Sequence, residues 1–244
     1  MTGVDMVPDY GDIELRKEAL ETARLLLECG AVTYSGQGRP FRPAQGFATP
    51  LRVDCRAALS CPNARAKLLD LALETIERDA DGVQTIAAAL DGAAVPLATL
   101  IADRRRAPLV FVRREDPAGP HKHRVEGTVE AGSRVLLVDQ LLTDGLRKAA
   151  LVEPLTQAGA SVTDLFVIFQ YGVFDRAHEN LAPLGVQTHA LATWWDLLEV
   201  ARDRSLLPAG VIAEVGRFLK DPAGWGAGAD PSGAAPKGKA KAKA

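Results

Sequence analysis

The sequence predicts an α/β fold: a mostly parallel five-stranded sheet flanked by helices, with a small irregular β region near the N-terminus. Three observations carry this. Short apolar runs alternate regularly with amphipathic segments after residue 80, which is the pattern of successive βα units. Arg134–Asp139 (R-V-L-L-V-D) is an almost unbroken apolar run, as a strand buried on both faces requires. The 244 residues, 47% hydrophobic and 25% charged, supply the core of one such domain.

In chain order, Ile13 to Cys29 sets Ile13, Leu20, Ala23 and Leu27 at helical spacing against Glu14, Lys17, Glu21 and Arg24, and Gly30 ends the helix. From Val32 to Arg56 the text is rich in Gly and Pro and reads as short β pieces. Pro62 opens a long amphipathic helix through about Arg78, proline being at home in a first turn. Val83–Ala88, Pro108–Val112, Arg134–Asp139, Ser161–Phe169 and Val186–Ala190 are the predicted strands. Between them, Val95–Arg105, Gly145–Ala158 and Asp175–Leu181 are the predicted helices. Trp194–Arg202 and Pro208–Leu219 close the folded part. Residues 1–225 are expected to form the domain and 226–244 a disordered Gly/Ala/Lys tail, with the loop Asp116–His123 also mobile.

Charge and composition exclude several classes. No apolar run approaches the ~20 residues that span a bilayer, and the polar start lacks a signal-peptide pattern. Cys29, Cys55 and Cys61 are odd in number and form no C-x-x-C pair, as expected of buried thiols in a reducing cytoplasm. The net charge of −2 includes the tail lysines Lys237, Lys239, Lys241 and Lys243, so the body is more acidic still and is not expected to bind nucleic acid. His121 and His123 form an H-x-H with no Cys or paired carboxylate nearby; they read as solvated loop residues, with no metal site. His189, on an apolar strand, reads as packed and hydrogen-bonded, and Trp194 and Trp195 as packing.

In an open parallel sheet, ligands bind beyond the carboxyl ends of the strands. The junction Asp139-Gln140-Leu141-Leu142-Thr143-Asp144-Gly145-Leu146-Arg147 is therefore the prime candidate: a strand ending in an acid, a short loop, then a helix. Such a loop offers backbone N–H groups to an anion, and the acid can hold sugar hydroxyls. A plain helix cap at Thr143 or Asp144 explains the same spacing.

This segment resembles the phosphoribosyl-pyrophosphate motif of the type I phosphoribosyltransferases, an apolar strand, two acids, then T-T-G-G-S or T-D-G-G-S. Arg39-Pro40-Phe41 through Gly46, Thr49-Pro50 and Val53-Asp54-Cys55-Arg56 are similar to the hood of the orotate phosphoribosyltransferases, about residues 32–56 here. Arg113-Arg114 to Val125-Glu126-Gly127 stands in the place of their catalytic loop. Val167 to Gly172 and Thr193-Trp194-Trp195-Asp196 also resemble that branch, so the likeness runs over nearly all of residues 13–225.

The resemblance implies transfer of a phosphoribosyl group from phosphoribosyl pyrophosphate to orotate, giving orotidine 5′-phosphate and pyrophosphate, with Mg²⁺ held through the substrate. It implies a cytoplasmic homodimer. Asp139 and Gln140 then face the ribose, and Thr143, Asp144, Gly145 and Arg147 the 5′-phosphate. Arg113, Arg114 and Lys122 are the implied pyrophosphate cations, and Gly46, Arg52 and Gly92 the remaining substrate contacts.

Four departures from the family text stand out. Gln140 replaces the second acid, and Leu146 and Arg147 stand where Gly and Ser are expected. The pyrophosphate loop Ala88–Pro96 keeps only Gly92 and the Val-Pro-Leu continuation. Glu115, Asp116 and Pro117 crowd the catalytic loop, and Arg52 stands where Tyr is common. These departures predict weakened binding of phosphoribosyl pyrophosphate and low turnover, and they open a second reading: an impaired paralogue that binds a nucleotide or partner in a regulatory role.

Overall fold

Apolar runs too short for helices become strands here, and helices between them pack against the sheet they form. The computed structural model describes residues 12–35, 40–41, 48–90, 94–113, 124–173, 175–227 and 237–239. The chain opens with α1 (Ile13–Glu28), β1 (Val32–Ser35), β2 (Leu51–Val53), α2 (Cys55–Ser60) and α3 (Pro62–Asp79). Next come β3 (Thr85–Ala89), α4 (Val95–Arg105), β4 (Leu109–Val112), β5 (Val125–Glu126), β6 (Arg134–Leu142) and α5 (Leu146–Gln157). They are followed by β7 (Ser161–Gln170), α6 (Arg176–Leu181), β8 (Gln187–Thr193), α7 (Trp194–Asp203), α8 (Ala209–Lys220), α9 (Pro222–Ala227) and β9 (Lys237–Lys239).

Two compact units result: Met1–Arg65 with Ala192–Ala244, and Ala66–Leu191. The second unit holds the main sheet, in the order β5-β4-β3-β6-β7-β8. β3 pairs in parallel with β4 and β6, and β6 with β7, which confirms the predicted parallel core. Among the described residues the sheet has six strands, because β5 pairs antiparallel with β4. β3 is buried along its whole length, as a central strand covered on both faces must be. α4 packs against β3 and β6, and α5 against β4 and β7. One core cluster joins Ala87, Val110, Leu137 and Val167 of the sheet to Leu151 and Leu155 of α5 and Leu181 of α6. Burying each such Leu or Val stabilises the fold by roughly 1.5–3 kcal/mol.

In the first unit, α1 packs against α7. Asp12 caps α1 by accepting from the Glu14 N–H at 2.8 Å. Ile13, expected on the buried face, is 75% exposed, because as the first helical residue it lies beyond the contact that buries Ala23, Leu26 and Leu27. β1 and β2 pair antiparallel, and Phe41 bridges Thr49, so the described residues between Val32 and Val53 form short β pieces of the kind expected, with Cys55 already in α2. Trp194 is fully buried with its ring 5.6 Å from that of Phe218. Thr193 donates from its N–H and Oγ1 to Asp196 Oδ2, 2.7 and 2.8 Å, which starts α7 as a capping box.

The region from 226, expected to be loose, contains β9, which pairs antiparallel with β1. Backbone N–H and C=O groups suffice for this, and Gly238 opposite Tyr34 adds no side chain to the ladder. The loop Asp116–His123 and the tail lysines Lys241 and Lys243 lie outside the described residues. Among the described residues, no helix is long and apolar enough to cross a membrane.

Candidate active site

The chain passes from β3 outward to β4 and then returns to place β6 on the other side of β3. That reversal is the point at which the loops leaving two neighbouring parallel strands diverge and open a crevice at their carboxyl ends. The loops after β3, β4 and β6 all leave the same edge of the sheet, so the topology gathers three of the predicted segments.

β6 runs three residues past Asp139, to Leu142, and the loop shrinks to Thr143-Asp144-Gly145. The extension has a consequence for Asp139 and Gln140. Neighbouring residues of a strand face opposite sides, so the two side chains do not act side by side as a reduced acidic pair. Asp139 is partly open, whereas Gln140 is buried. The Gln140 backbone N–H donates to Asp139 Oδ1 at 2.6 Å. The other carboxylate oxygen, Oδ2, lies 2.7 Å from Lys148 Nζ, a residue the sequence reading passed over.

Gly145 supplies the turn into α5, with φ of +78°. A Cβ there would lie 3.2 Å from Leu181 Cδ1 and 3.3 Å from Ala177 Cα, so backbone conformation and packing against α6 both call for glycine. Asp144 Oδ1 accepts from the Leu146 N–H at 3.2 Å, but the N-cap of α5 is Gly145 and not Thr143 or Asp144, the caps that the spacing suggested. Asn180 of α6 donates from Nδ2 to the Asp144 carbonyl at 2.7 Å and so holds the loop from outside. Leu146 is 53% exposed and Arg147 is exposed beside it. The first turn of α5 carries no acid but two cations, Arg147 and Lys148. Each opposes the helix dipole at a cost of about 0.3–1 kcal/mol unless an anion sits there.

Arg113 and Arg124, the described residues on either side of 114–123, are bonded to each other. The Arg113 N–H donates to the Arg124 carbonyl at 2.7 Å, and Arg124 Nε returns a bond to the Arg113 carbonyl at 3.1 Å. The Arg113 guanidinium pairs with Glu126, so this predicted pyrophosphate cation is engaged at the base of the loop. Its Nε is buried and has no hydrogen-bond partner among the described residues. Arg124 also reaches α5: its guanidinium donates to the Ala150 carbonyl at 3.3 Å. Ala150 is the residue whose helical donor would be the N–H of residue 154, and that residue is proline. Arg124 thus fills a vacancy in the helix ladder, a role spacing did not reveal.

Arg114, Lys122, Gly46 and Gly92 lie outside the described residues, as do His121 and His123. Arg52 lies on β2 of the first unit, with its guanidinium 3.4 Å from Asp54 Oδ2. Asp54 is the N-cap of α2 and takes two 2.8 Å bonds from Arg56. The Arg56 guanidinium holds the Asp54 carboxyl below its ordinary range. His189 is bonded as expected: its Nε2 lies 2.8 Å from Asp164 Oδ1, on β7. Among the described residues no group of three or more His, Cys, Asp or Glu is placed to hold a metal by itself.

No family model matches the chain. It is 40% identical over 206 residues to the orotate phosphoribosyltransferase of Cereibacter sphaeroides, covering 84% of this chain and 88% of that protein. Among solved structures, it is similar to the Leishmania donovani UMP synthase, with a TM-score of 0.67 and 26% identity over 82% of this chain and 42% of that one. It is also similar to the orotate phosphoribosyltransferase of Aeropyrum pernix, with a TM-score of 0.62 and 28% identity over 75% of this chain and 99% of that one. The fold is accordingly that of the type I phosphoribosyltransferases.

Proposed function

This chain belongs to the orotate phosphoribosyltransferase family, and from that premise we propose that it joins the phosphoribosyl group of phosphoribosyl pyrophosphate to N1 of orotate, giving orotidine 5′-phosphate and pyrophosphate. The observation that carries the reading is the 40% identity to a family member over 84% of the chain. Asp139, near the end of β6, and the Thr143–Gly145 turn beyond that strand, at the reversal of the sheet, are consistent with it. Nothing in the comparisons or in the described residues favours the impaired regulatory paralogue.

The bond from the anomeric carbon to pyrophosphate breaks and takes its electron pair with the leaving group, while N1 of orotate forms the new bond and gives up its proton. The protein's share is position and electrostatics. Asp139 holds ribose hydroxyls. The backbone of Thr143, Asp144 and Gly145, at the positive end of α5, receives the 5′-phosphate, with Arg147 beside it. Buried Gln140 supports this from behind by its N–H bond to Asp139. Arg114 and Lys122 supply cations toward pyrophosphate, with Arg113 held by Glu126 at the base of the same segment, and Gly46, Arg52 and Gly92 are the further substrate contacts that the resemblance implies.

Mg²⁺ would be held through the phosphates of the substrate itself, so no cluster of protein ligands is needed, and Asp139, bonded to Lys148 and the Gln140 N–H, would act on the sugar. When bound, the ion supplies positive charge to the departing pyrophosphate. As the family resemblance implies, the protein is a homodimer of the cytoplasm, built as one catalytic domain over 1–225 with an appended tail.

The test is steady-state kinetics of the purified full chain with orotate, phosphoribosyl pyrophosphate and Mg²⁺. The expected turnover is at least ~1 s⁻¹, the low end for ordinary enzymes. Absence of orotidylate above a no-enzyme control ends the reading.

A further inference from the structure

The motif text draws attention to Asp139, Thr143 and Gly145, yet the charge that meets the Asp139 carboxylate comes from Lys148. Its Nζ lies 2.7 Å from Asp139 Oδ2, with the lysine side chain 13% exposed and the aspartate 22%. A lysine so nearly buried is held there by its partner. Its own N–H donates to the Gly145 carbonyl at 2.9 Å, which places it in the first turn of α5. One residue therefore spans the phosphate turn, through its backbone, and the ribose carboxylate, through its ammonium.

We propose that Lys148 is a positioning residue for phosphoribosyl pyrophosphate. The inference rests on the phosphoribosyl-transfer reading above and deepens it. Its first effect is geometric. The Gln140 N–H at 2.6 Å fixes Asp139 Oδ1 and Lys148 fixes Oδ2, so the carboxylate plane is set before substrate arrives. Each oxygen keeps a second lone-pair direction for a sugar hydroxyl. The second effect is electrostatic. A bare carboxylate beside a sugar polyphosphate repels it; paired with an ammonium it does not, and still accepts hydrogen bonds. Gln140 adds no second negative charge, so one lysine balances the strand end. The ammonium also stands against the positive end of α5, an unfavourable place that an anion at the turn relieves.

The experiment uses the full chain with Lys148→Gln and Lys148→Arg. Calorimetric titration with phosphoribosyl pyrophosphate and steady-state kinetics are run on each, with a thermal melt to check folding. The glutamine variant is expected to weaken the Kd and raise the KM for phosphoribosyl pyrophosphate about tenfold or more, the loss of one charge-assisted contact. The KM for orotate is expected to stay within about twofold, because this contact acts on the sugar side only. The arginine variant, which keeps the charge, is expected to recover most of the affinity. An unchanged KM for phosphoribosyl pyrophosphate in the glutamine variant overturns the proposal while wild-type activity stands. Equal losses in the two variants, or equal rises in both KM values, also overturn it, since a general packing role has that signature. A glutamine variant that fails to fold leaves the arginine variant to decide: lost affinity with an unchanged melt overturns the charge-based role, and retained affinity supports it. A wild type that neither binds phosphoribosyl pyrophosphate nor forms orotidylate fails the functional reading itself.

Discussion

The Arg124 guanidinium donates to the Ala150 carbonyl at 3.3 Å, filling the acceptor that Pro154 leaves without a helical donor. A proline in α5 and an arginine at the end of the β4 loop are thereby coupled, 30 residues apart in the chain. The same arginine closes the base of the loop on the Arg113 carbonyl.

That coupling makes Pro154→Ala informative. Alanine restores a helix donor to the Ala150 carbonyl and removes the ring clash, effects worth up to ~3 kcal/mol in a helix interior. A net gain of about 1–2 kcal/mol is expected after the entropy returned to the unfolded chain. Urea unfolding measures it as a higher midpoint at constant slope. A loss of stability means that the Arg124 bond and the local packing outweigh the helix bond.

Gly145→Ala is expected to destabilise the protein by about 1–3 kcal/mol, the range for a residue forced into a sparsely populated backbone region. The strain is twofold, from φ of +78° and from a Cβ 3.2 Å from Leu181. Calorimetric melts read the stability, and the KM for phosphoribosyl pyrophosphate reads the displaced turn. No change in either measurement means that α6 yields to the added methyl.

Asp164 is buried, with His189 Nε2 at 2.8 Å, Thr163 Oγ1 at 2.5 Å and the Arg134 guanidinium at 3.6 Å. Asp164→Ala strands these partners and is expected to cost about 3–5 kcal/mol, as breaking a buried pair does. Asp164→Asn keeps the shape and one acceptor and costs less. Denaturant unfolding of both variants checks the order; a loss below ~1 kcal/mol for alanine contradicts it.

Cys29 carries the pH prediction. Burial, followed by its thiol contact with Cys61, pushes the Cys29 thiol up to about 12 from an ordinary 9.0. The folded value lies above the unfolded one, so this contribution is intact below about pH 9 and is lost as pH rises from about 9 toward about 12. Unfolding free energy measured from pH 8 to 11 should fall more steeply for the wild type than for Cys29→Ala. Parallel slopes end the argument. Iodoacetamide at pH 8 should also label Cys29 slowly, as peptide mass spectrometry will read.

Much of this was legible in the residues because the signals are local. The unbroken run Val135–Val138 can only be a strand covered on both faces, and the run Val95–Arg105 became a helix with those same ends. Residues Thr143 to Gly145 lie in the turn where the text placed a phosphate loop, because a Gly between a strand and a helix leaves few other conformations. The strand boundary after Asp139 was not legible. Leu141 and Leu142 extend β6 by pairing with Phe169 and Gln170, and pairing across a sheet leaves no mark in a single stretch of text.

What the sequence determined by itself was the order and type of the elements and the place of the turn, through apolar periodicity and backbone preference. What the tertiary structure decided was which charges meet. Lys148 turns toward Asp139 because one turn of helix and one strand end bring them within 2.7 Å. Arg113 is drawn to Glu126 because β5 folds back on β4. Arg124 finds Ala150 because α5 packs on β4 and lacks one donor. Charge pairing depends on distance in space, and a long flexible side chain has no preferred partner until packing supplies one.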